Sequence, residues 1–333
     1  MPGQLTGLDP VYADFFAGGA GDERTLRGNE EAFQRLRLVP RVLRATGERD
    51  LSITLFGTEL AAPILVAPTA FHRLAHPDGE AATARGAAGT ILVVSMASTT
   101  GLEAIAEAGG PLWFQLYPQP DLAFTEAVIR RAEAAGCRAL VVTADSPVFG
   151  RRERDLRNGF TDLPAGMVCE NMRDTTGRVR DIVMDAGLGW DRIDWLRGVT
   201  GLPILLKGVL HPADAALAVE HGVSGLVVSN HGGRQLDGAI ATVRALPAVV
   251  DAVGGRVPVL LDGGVRRGVD VLCALALGAT AVLIGRPVLW GLAGGGSAGV
   301  RQVLDRLRTE LDTALALVGA RTPAELTADL VAP

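Results

Sequence analysis

Residues 203–230 read PILLKGVLHPADAALAVEHGVSGLVVSN, and this stretch contains the repeating unit that decides the fold. Two short apolar runs, 203-PILLKG and 225-GLVVSN, enclose 211-HPADAALAVEHG, a segment in which alanine and leucine recur at helical spacing. The runs lack polar alternation, which is typical of strands that are covered on both faces. The stretch therefore predicts a strand, a helix and a second strand parallel to the first.

Runs of this kind occur eight times, and helical segments lie between them. The other six runs are 63-PILVAP, 90-TILVVS, 112-LWFQLY, 139-ALVVTAD, 258-PVLLDGG and 281-AVLIG. Asp121 is placed to cap one helix, and Gly136, Gly222 and Gly278 stand where glycine commonly ends a helix. Because the repeat continues regularly to the end of the chain, it favours an α/β fold of the (β/α)₈ TIM-barrel type over an open sheet.

The sequence predicts a single domain over residues 1–333. We expect residues 1–60 to form a short cap of helices and a hairpin, and residues 61–320 to form the barrel. After the fourth run, about 40 residues that start at 151-RRERDLRNGF carry many charges and no apolar period. A long insertion at the active-site end of a barrel is usually a lid or a binding loop, so we predict a lid-like loop over residues 146–190.

Composition excludes several classes of partner. The 333 residues carry 32 Lys and Arg against 37 Asp and Glu, a net charge of −5, which gives no basic field for nucleic acid or an anionic membrane. No apolar stretch approaches the ~20 residues of a membrane helix, and the start of the chain lacks signal-peptide features, so we predict a cytoplasmic protein. Cys137, Cys169 and Cys273 are widely spaced, which predicts packing residues and no metal site.

Polar residues stand at the C-terminal ends of the predicted strands, the face that carries the active site in such barrels. One or two of them could serve only as helix caps, but a complete ring predicts a functional site. The ring consists of Pro68, Thr69, Ser95, Gln115, Tyr117, Thr143, Asp145, Lys207, Ser229, Asn230, His231, Asp262, Gly263, Gly264, Gly285 and Arg286.

The last two strand ends have the composition of a phosphate site. Their glycines allow a phosphate to approach the backbone N–H groups closely, and Arg266 or Arg286 can add a guanidinium. Tight turns with solvated arginines are the alternative. The segment 294-GGGSAG matches the pattern G-x-G-x-x-G, but it follows no predicted strand and has no acidic residue about 20 positions later. We therefore reject it as a dinucleotide site.

The segments 229-SNHGGRQLD and 261-LDGGVRRG resemble the FMN-dependent α-hydroxy-acid oxidases and dehydrogenases, a family that includes glycolate oxidase, lactate oxidase, mandelate dehydrogenase and hydroxymandelate oxidase. The segments 63-PILVAPTA, 76-HPDGE, 115-QLY, 150-GRR and 205-LLKG share the resemblance, which runs from about Tyr12 to about Gly319. The resemblance implies FMN as the cofactor, a 2-hydroxy acid as the substrate, and O₂ or another electron acceptor. It also implies a homo-oligomer, frequently a tetramer.

Five residues match the family's substrate and proton-transfer groups. His231 resembles the base that takes a proton as the substrate α-carbon is oxidised, and Asp145 resembles the carboxylate that stabilises its imidazolium. Arg152 and Arg234 resemble the pair that binds the substrate carboxylate, a task suited to planar, bidentate donors. Tyr117 resembles the tyrosine that bonds the substrate oxygen. Without the resemblance, His231 could be a buried structural histidine, Arg152 a solvated loop charge and Tyr117 a packing aromatic.

The resemblance also implies a set of FMN-binding residues. Lys207 resembles the lysine beside the N1–C2=O edge of the flavin, where a positive charge stabilises the reduced ring. The other members are expected to bind the ring, the ribityl chain and the phosphate, although each alone could be only a cap. They are Pro68, Thr69, Ala70, Ser95, Gln115, Thr143, Ser229, Asp262, Gly263, Gly264, Arg266, Gly285 and Arg286.

Two positions in the expected substrate site depart from the family pattern. Phe15 stands where the family commonly has a tyrosine, so one hydroxyl donor to the substrate carboxylate is missing. Ala97 stands where glycolate oxidase has a bulky tryptophan and where lactate- and mandelate-type members have small residues. The small residue predicts a roomy pocket and an aromatic or bulky substrate such as mandelate or 4-hydroxymandelate. An aliphatic acid of the lactate type is the alternative.

Two other functions stay open at this point. One is a different FMN barrel, such as an FMN-dependent isopentenyl-diphosphate isomerase, although such an enzyme need not carry the combination of Asp145, His231 and Arg234. The other is a degenerate paralogue that binds FMN without turnover, a condition that Phe15 could mark.

Overall fold

Eight parallel strands close into a barrel in the computed structural model, which describes residues 7–332. Residues 1–6 of the predicted cap, and Pro333 at the end of the predicted domain, lie outside the described residues. The strands are β1 (Ile64–Val66), β2 (Leu92–Ser95), β3 (Leu112–Leu116), β4 (Leu140–Thr143), β5 (Ile204–Val209), β6 (Gly225–Val228), β7 (Val259–Asp262) and β8 (Ala281–Ile284). Each strand pairs with the next in the chain, and β8 pairs with β1. The predicted (β/α)₈ barrel is confirmed.

Both faces of each strand are buried, which explains why the apolar runs do not alternate with polar residues. Along β1, Ile64 and Val66 pack with the surrounding helices, whereas Leu65 belongs to a second cluster of strand and hairpin residues inside the barrel. Trp113 of β3 is completely buried in that inner cluster. Burying each large apolar side chain contributes roughly 1.5–3 kcal/mol.

The helices mostly follow the strands and lie outside them. They are α1 (Pro10–Ala17), α2 (Arg24–Arg35), α3 (Gly79–Gly86), α4 (Leu102–Glu107), α5 (Leu122–Ala134), α6 (Glu153–Arg157), α7 (Trp190–Val199), α8 (Pro212–Glu220), α9 (Thr242–Val253), α10 (Gly268–Ala276) and α11 (Arg286–Val318). Asp121 caps α5 as expected, because its carboxylate accepts a hydrogen bond from the N–H of Phe124 at 3.1 Å. The capping bond satisfies one of the free N–H groups at the start of the helix.

The segment 294-GGGSAG lies inside α11, where Gly295 and Gly296 depart from helical geometry. The two halves of α11 cross closely, so that a Cβ atom at Gly291 would lie 2.6 Å from the carbonyl oxygen of Gly299. The glycines therefore permit a close contact between two helical segments.

The segment predicted as one cap is divided between the two ends of the barrel. The hairpin strands Ile53–Leu55 and Thr58–Leu60 close the N-terminal end, because Leu55 and Leu60 join the cluster inside the barrel. At the opposite end, α2 lies against the turn that follows β6, and α1 lies against α6 and α11. Between them, the pair Arg37–Leu38 forms a short antiparallel ladder with Val331–Ala332.

The interval between β4 and β5 contains the short helix α6, a 3₁₀ turn at Glu170–Met172 and helix α7. The rest of the predicted 146–190 loop is irregular apart from one isolated bridge between Arg173 and Val179. Cys137, Cys169 and Cys273 are all free thiols. Within residues 7–332, no helix has the length and apolar character needed to span a bilayer, and no three His, Cys, Asp or Glu side chains converge as a metal site.

Candidate active site

The C-terminal ends of the barrel strands open into a cavity of about 580 Å³. Of the site residues predicted from the sequence, all but Asp145, Ser229 and Asn230 line this cavity. Asp145 and Ser229 bond residues that do. The predicted residues on its wall are Phe15, Pro68, Thr69, Ala70, Ser95, Ala97, Gln115, Tyr117, Thr143, Arg152, Lys207, His231, Arg234, Asp262, Gly263, Gly264, Arg266, Gly285 and Arg286.

His231 follows β6 at the start of a 3₁₀ turn and has a φ of +59°. This left-handed conformation is unfavourable for a residue other than glycine. The Nδ1 atom lies 2.9 Å from Oδ1 of Asp145 at the end of β4, and the backbone N–H donates to Oγ of Ser229 at 3.0 Å. With Nδ1 engaged by Asp145, Nε2 is the ring nitrogen available to the cavity.

The electrostatic environment favours an ionised Asp145 and a neutral His231. Burial opposes ionisation of Asp145, but the neighbouring His231 and Lys207 outweigh it and hold the pKa at about 2. Burial lowers the pKa of His231, and the attraction of Asp145 offsets this effect only in part. Near neutral pH the imidazole can therefore accept a proton, and the Asp145 carboxylate can stabilise the imidazolium that forms.

Lys207, on β5, is a buried cation with two polar contacts. Its Nζ donates to Oγ of Ser229 at 3.0 Å and lies 3.3 Å from Oδ2 of Asp262. Burial would lower the pKa of Lys207, but the charges of Asp262 and Asp145 outweigh burial and raise it. The other oxygen of Asp262, Oδ1, is buried and finds no partner among the described residues. That oxygen is an acceptor available to a bound molecule.

A chain of buried polar side chains crosses three strand ends beside Lys207. The hydroxyl of Ser95 donates to Oε1 of Gln115 at 3.2 Å, and Nε2 of Gln115 donates to Oγ1 of Thr143 at 3.0 Å. These contacts fix the orientation of the Gln115 amide. The floor of the cavity therefore presents both donors and acceptors at defined positions.

The two arginines predicted to bind a carboxylate keep free donors on the cavity wall. Nη1 of Arg234 donates to the carbonyl oxygens of Phe15 at 2.6 Å and Gly18 at 3.0 Å, which leaves the N–H groups of Nε and Nη2. Nη1 of Arg152 lies 3.6 Å from Oδ2 of Asp155. The Nε of Arg152 is buried and has no partner in the described part of the chain.

Arg286, predicted to bind phosphate, bonds three backbone carbonyl groups. Its Nε, Nη1 and Nη2 donate to Phe16, Gly232 and Gly18 at 3.0, 2.9 and 2.7 Å. Burial lowers the pKa of Arg286 to about 10, so the guanidinium stays charged near neutral pH. The side chain joins the end of α1 and Gly18 to the turn after β6, and it still has two unused N–H groups.

Arg266 lies on the same side of the cavity. Its Nη2 donates to Oε1 of Glu30 at 2.8 Å, and its guanidinium carbon lies 5.3 Å from the centre of the Trp290 ring. The Nε of Arg266 is buried without a partner among residues 7–332. The adjacent Gly263 and Gly264 have φ values of +89° and +94°, a conformation that favours glycine.

Phe15 packs in an aromatic cluster at the edge of the cavity. Its ring stacks on Phe71 at a centroid distance of 5.4 Å and contacts Phe16 at 5.2 Å and Phe160 at 5.0 Å. The guanidinium carbon of Arg234 lies 4.8 Å from the ring centre. Phe15 thus supports Arg234 by a cation–π contact but offers no hydroxyl group.

The insertion between β4 and β5, predicted as a lid or binding loop, supplies a wall whose individual residues the sequence did not reveal. Its residues lack an apolar period, so only the position of the insertion after a strand end indicated a role. The wall includes Phe149, Thr161, Asp162, Leu163, Met167, Val168, Cys169, Val179, Arg180, Asp181, Ile182 and Met184. Asp155, the partner of Arg152, was also missed, because a charged residue in a charged loop gives no distinguishing signal.

The sequence matches the family model of FMN-dependent dehydrogenases over residues 6–333. It is 48% identical to an L-lactate oxidase of Nostoc sp. (strain PCC 7120 / SAG 25.82 / UTEX 2576), over 94% of this chain and 91% of that protein. It is 47% identical to a peroxisomal (S)-2-hydroxyacid oxidase of Arabidopsis thaliana, over 96% of this chain and 91% of that protein.

The fold is similar to solved structures of mandelate oxidase. The complex of that protein with benzoyl-formic acid superposes with a TM-score of 0.92 at 44% identity, and the match covers 98% of this chain and 95% of the other. The complex with (S)-2-phenylpropionate gives a TM-score of 0.91 at 44% identity, with the same coverage.

Proposed function

The chain belongs to the family of FMN-dependent dehydrogenases, and on that premise we propose that it oxidises an aromatic or bulky 2-hydroxy acid, such as mandelate or 4-hydroxymandelate, to the 2-oxo acid. The reaction class, FMN-dependent oxidation of the CH–OH group of a 2-hydroxy acid, is the one its relatives share. The predicted family, cofactor and enzyme class are thereby confirmed. The choice of acid is the proposal.

The small side chain of Ala97 is the observation that supports an aromatic or bulky substrate. Ala97 lines the cavity at the end of β2, and apolar groups of the insertion, Leu163 and Met167 among them, line the same cavity. A phenyl or branched group placed there would bury apolar surface, whereas glycolate would leave the space unused. A lactate-type aliphatic acid is the alternative, and similarity to an L-lactate oxidase favours it.

The groups on the cavity floor fit FMN. The buried ammonium of Lys207 and the amide of Gln115 match the polar edge of a flat ring, and the free Oδ1 of Asp262 can accept a hydrogen bond from a ribityl hydroxyl. The unpaired Nε of Arg266, beside the turn at Gly263, suits a phosphate oxygen. Bound FMN would supply the acceptor for the two electrons and for the proton that His231 does not take.

The protein groups perform the proton transfer. A 2-hydroxy acid loses two electrons and two protons when it becomes a 2-oxo acid, and His231 takes one of these protons at Nε2. Asp145, 2.9 Å from Nδ1, stabilises the resulting imidazolium. Burial raises the pKa of Tyr117 above its usual value, so its hydroxyl stays protonated and donates to the substrate oxygen.

Arg152 and Arg234 bind the substrate carboxylate in this proposal. Both side chains line a cavity that also contains Lys207, so the field there favours an anion. The backbone bonds of Arg234 hold its guanidinium in one orientation before the substrate arrives. Because Phe15 lacks a hydroxyl group, these two arginines carry the carboxylate interaction.

A substrate panel tests the proposal. We expect anaerobic mixing with mandelate to bleach the bound flavin faster than mixing with lactate or glycolate. Ala97→Trp should fill the side-chain space, and since each excluded methylene forfeits about 0.8 kcal/mol, kcat/KM for mandelate should fall by at least ~10². Glycolate, which has no side chain, should keep or improve its kcat/KM.

Equal losses for mandelate and glycolate in Ala97→Trp would show that the substrate side chain lies elsewhere. Faster bleaching by lactate than by mandelate would favour the aliphatic alternative. We also propose a cytoplasmic homotetramer that uses O₂ or another acceptor. Light scattering of the purified protein tests the tetramer, and reoxidation of the reduced flavin in air tests O₂.

A further inference from the structure

We propose that Asn29, on α2, is a positioning residue for His231 and that it acts through Asn230. The two side-chain amides form a reciprocal pair, in which Nδ2 of each residue donates to Oδ1 of the other at 2.8 Å. Both residues are buried, with 2% and 4% of their surface exposed. The inference rests on the proposed role of His231 as the base.

Both polar atoms of the Asn230 amide, and Oδ1 of Asn29, make a further hydrogen bond each, which fixes the orientation of the two amides. Nδ2 of Asn230 donates to the carbonyl oxygen of Ile240 at 3.0 Å, and its Oδ1 accepts the N–H of Gly233 at 3.2 Å. Oδ1 of Asn29 accepts the N–H of Thr242 at 3.3 Å. Reversing either amide would place donor against donor and acceptor against acceptor.

This pair restrains the backbone at the base. The N–H of Gly233 donates to both the carbonyl oxygen and Oδ1 of Asn230, at 3.0 and 3.2 Å, and these bonds span His231, whose φ is +59°. Asn29 holds that Oδ1 in place from the opposite side. Without Asn29, the turn can relax toward negative φ, and the imidazole then leaves Asp145.

A second contact of α2, made by Thr25, provides a control that distinguishes positioning of His231 from mere attachment of α2 to the barrel. Thr25, one turn before Asn29, donates its hydroxyl proton to the carbonyl oxygen of Leu236 at 3.2 Å and is 2% exposed. Thr25 therefore anchors α2 to the segment after His231 without a hydrogen bond to Asn230. The substitution Thr25→Val removes this hydroxyl bond and keeps the side-chain shape, while the backbone N–H of Thr25 still donates to Oδ1 of Asp237 at 2.9 Å.

The experiment compares Asn29→Leu, Asn29→Asp and Thr25→Val as FMN-loaded enzymes that are mixed anaerobically with mandelate. Asn29→Asp keeps the shape and the acceptor oxygen, so it serves if Asn29→Leu fails to fold. We expect the flavin-reduction rate of both Asn29 variants to fall about tenfold or more, as small displacements of reacting groups do. The Kd of mandelate should not change, because Arg152 and Arg234 set it in this proposal, and saturation with FMN removes any change in cofactor affinity from the rate. Thr25→Val should react at the wild-type rate.

Crystal structures of the variants provide a readout that needs no turnover. In Asn29→Leu we expect His231 to lose its positive φ and its contact with Asp145, and in Thr25→Val to keep both. An unchanged His231 in Asn29→Leu, or equal rate losses in the Asn29 and Thr25 variants, would overturn the inference. A wild-type flavin that no 2-hydroxy acid bleaches would contradict the proposed function instead, and the crystal structures would still decide the inference.

Discussion

Ser229 accepts hydrogen bonds from both the ammonium group of Lys207 and the backbone N–H of His231. Two residues after His231, the N–H of Gly233 closes the turn, and Gln235 donates to the carbonyl oxygens of Asp145 and Val148 at 3.1 and 3.0 Å. Almost every polar residue of the segment 229–237 thus has its own partner. Because each polar residue has a different partner, few of them can be exchanged without the loss of a hydrogen bond, which explains why the segment is a distinctive motif.

Restoring a hydroxyl group at Phe15 tests the carboxylate site. We expect Phe15→Tyr to lower KM for mandelate about tenfold, because a hydrogen bond to a charged group contributes roughly 1.5–3 kcal/mol. Phe160→Tyr is the matched control, since that ring contacts Phe15 at 5.0 Å but does not line the cavity. Steady-state kinetics of both variants measures the difference. An equal KM in the two variants would remove Phe15 from the carboxylate site.

The pH profile tests the environment of His231. The base must be neutral, and burial lowers its pKa below 6.5, so kcat/KM should stay constant from neutral pH to below pH 6.5 and then fall. Asp145→Asn removes the anion that opposes this shift, so the pKa of His231 should fall further. The acid limb should then move to lower pH while the rate drops. An acid limb that moves upward in Asp145→Asn would contradict the assignment.

Among the elements, the segment after β4 is held against the turn after β6. The N–H of Gly150 donates to Oε1 of Gln235 at 2.9 Å, and a Cβ atom at Gly150 would lie 2.8 Å from Cα of Gln235. We expect Gly150→Ala to push Asp145 and Arg152 away from their partners and to lower kcat/KM at least about tenfold.

Gly28→Ala is the control for Gly150→Ala, because a Cβ atom at Gly28 on α2 would meet nothing within 4 Å. Kinetics and thermal unfolding of both variants separate a displaced site from a destabilised fold. Wild-type kinetics in Gly150→Ala would show that this close approach does not position the site.

The insertion after β4 marks the limit of what the sequence reveals about the site. Polar residues that end apolar strands, such as Lys207 and Thr143, could be located because a barrel brings all strand ends to one face. Leu163 and Met167 could not, since an irregular segment has no period that fixes which residues face the cavity. Asn29 was missed for another reason: its partner Asn230 lies 201 positions away.

At the scale of the whole molecule, the barrel could be predicted because burial of both strand faces leaves a continuous apolar run for each strand. The division of residues 7–60 between the two barrel ends could not be predicted. The hairpin buries Leu55 and Leu60 in the barrel interior, whereas α2 forms polar contacts such as the pair of Asn29 with Asn230. Where the hairpin and α2 pack depends on tertiary partners that the local sequence does not specify.

The central claim is that the barrel end formed by these elements oxidises a 2-hydroxy acid with His231 as the base. The most direct measurement is anaerobic flavin bleaching by mandelate in the wild-type protein and in His231→Ala, both loaded with FMN. We expect bleaching in the wild type and a rate at least ~10² lower in His231→Ala, with FMN still bound. Bleaching of His231→Ala at the wild-type rate would contradict it.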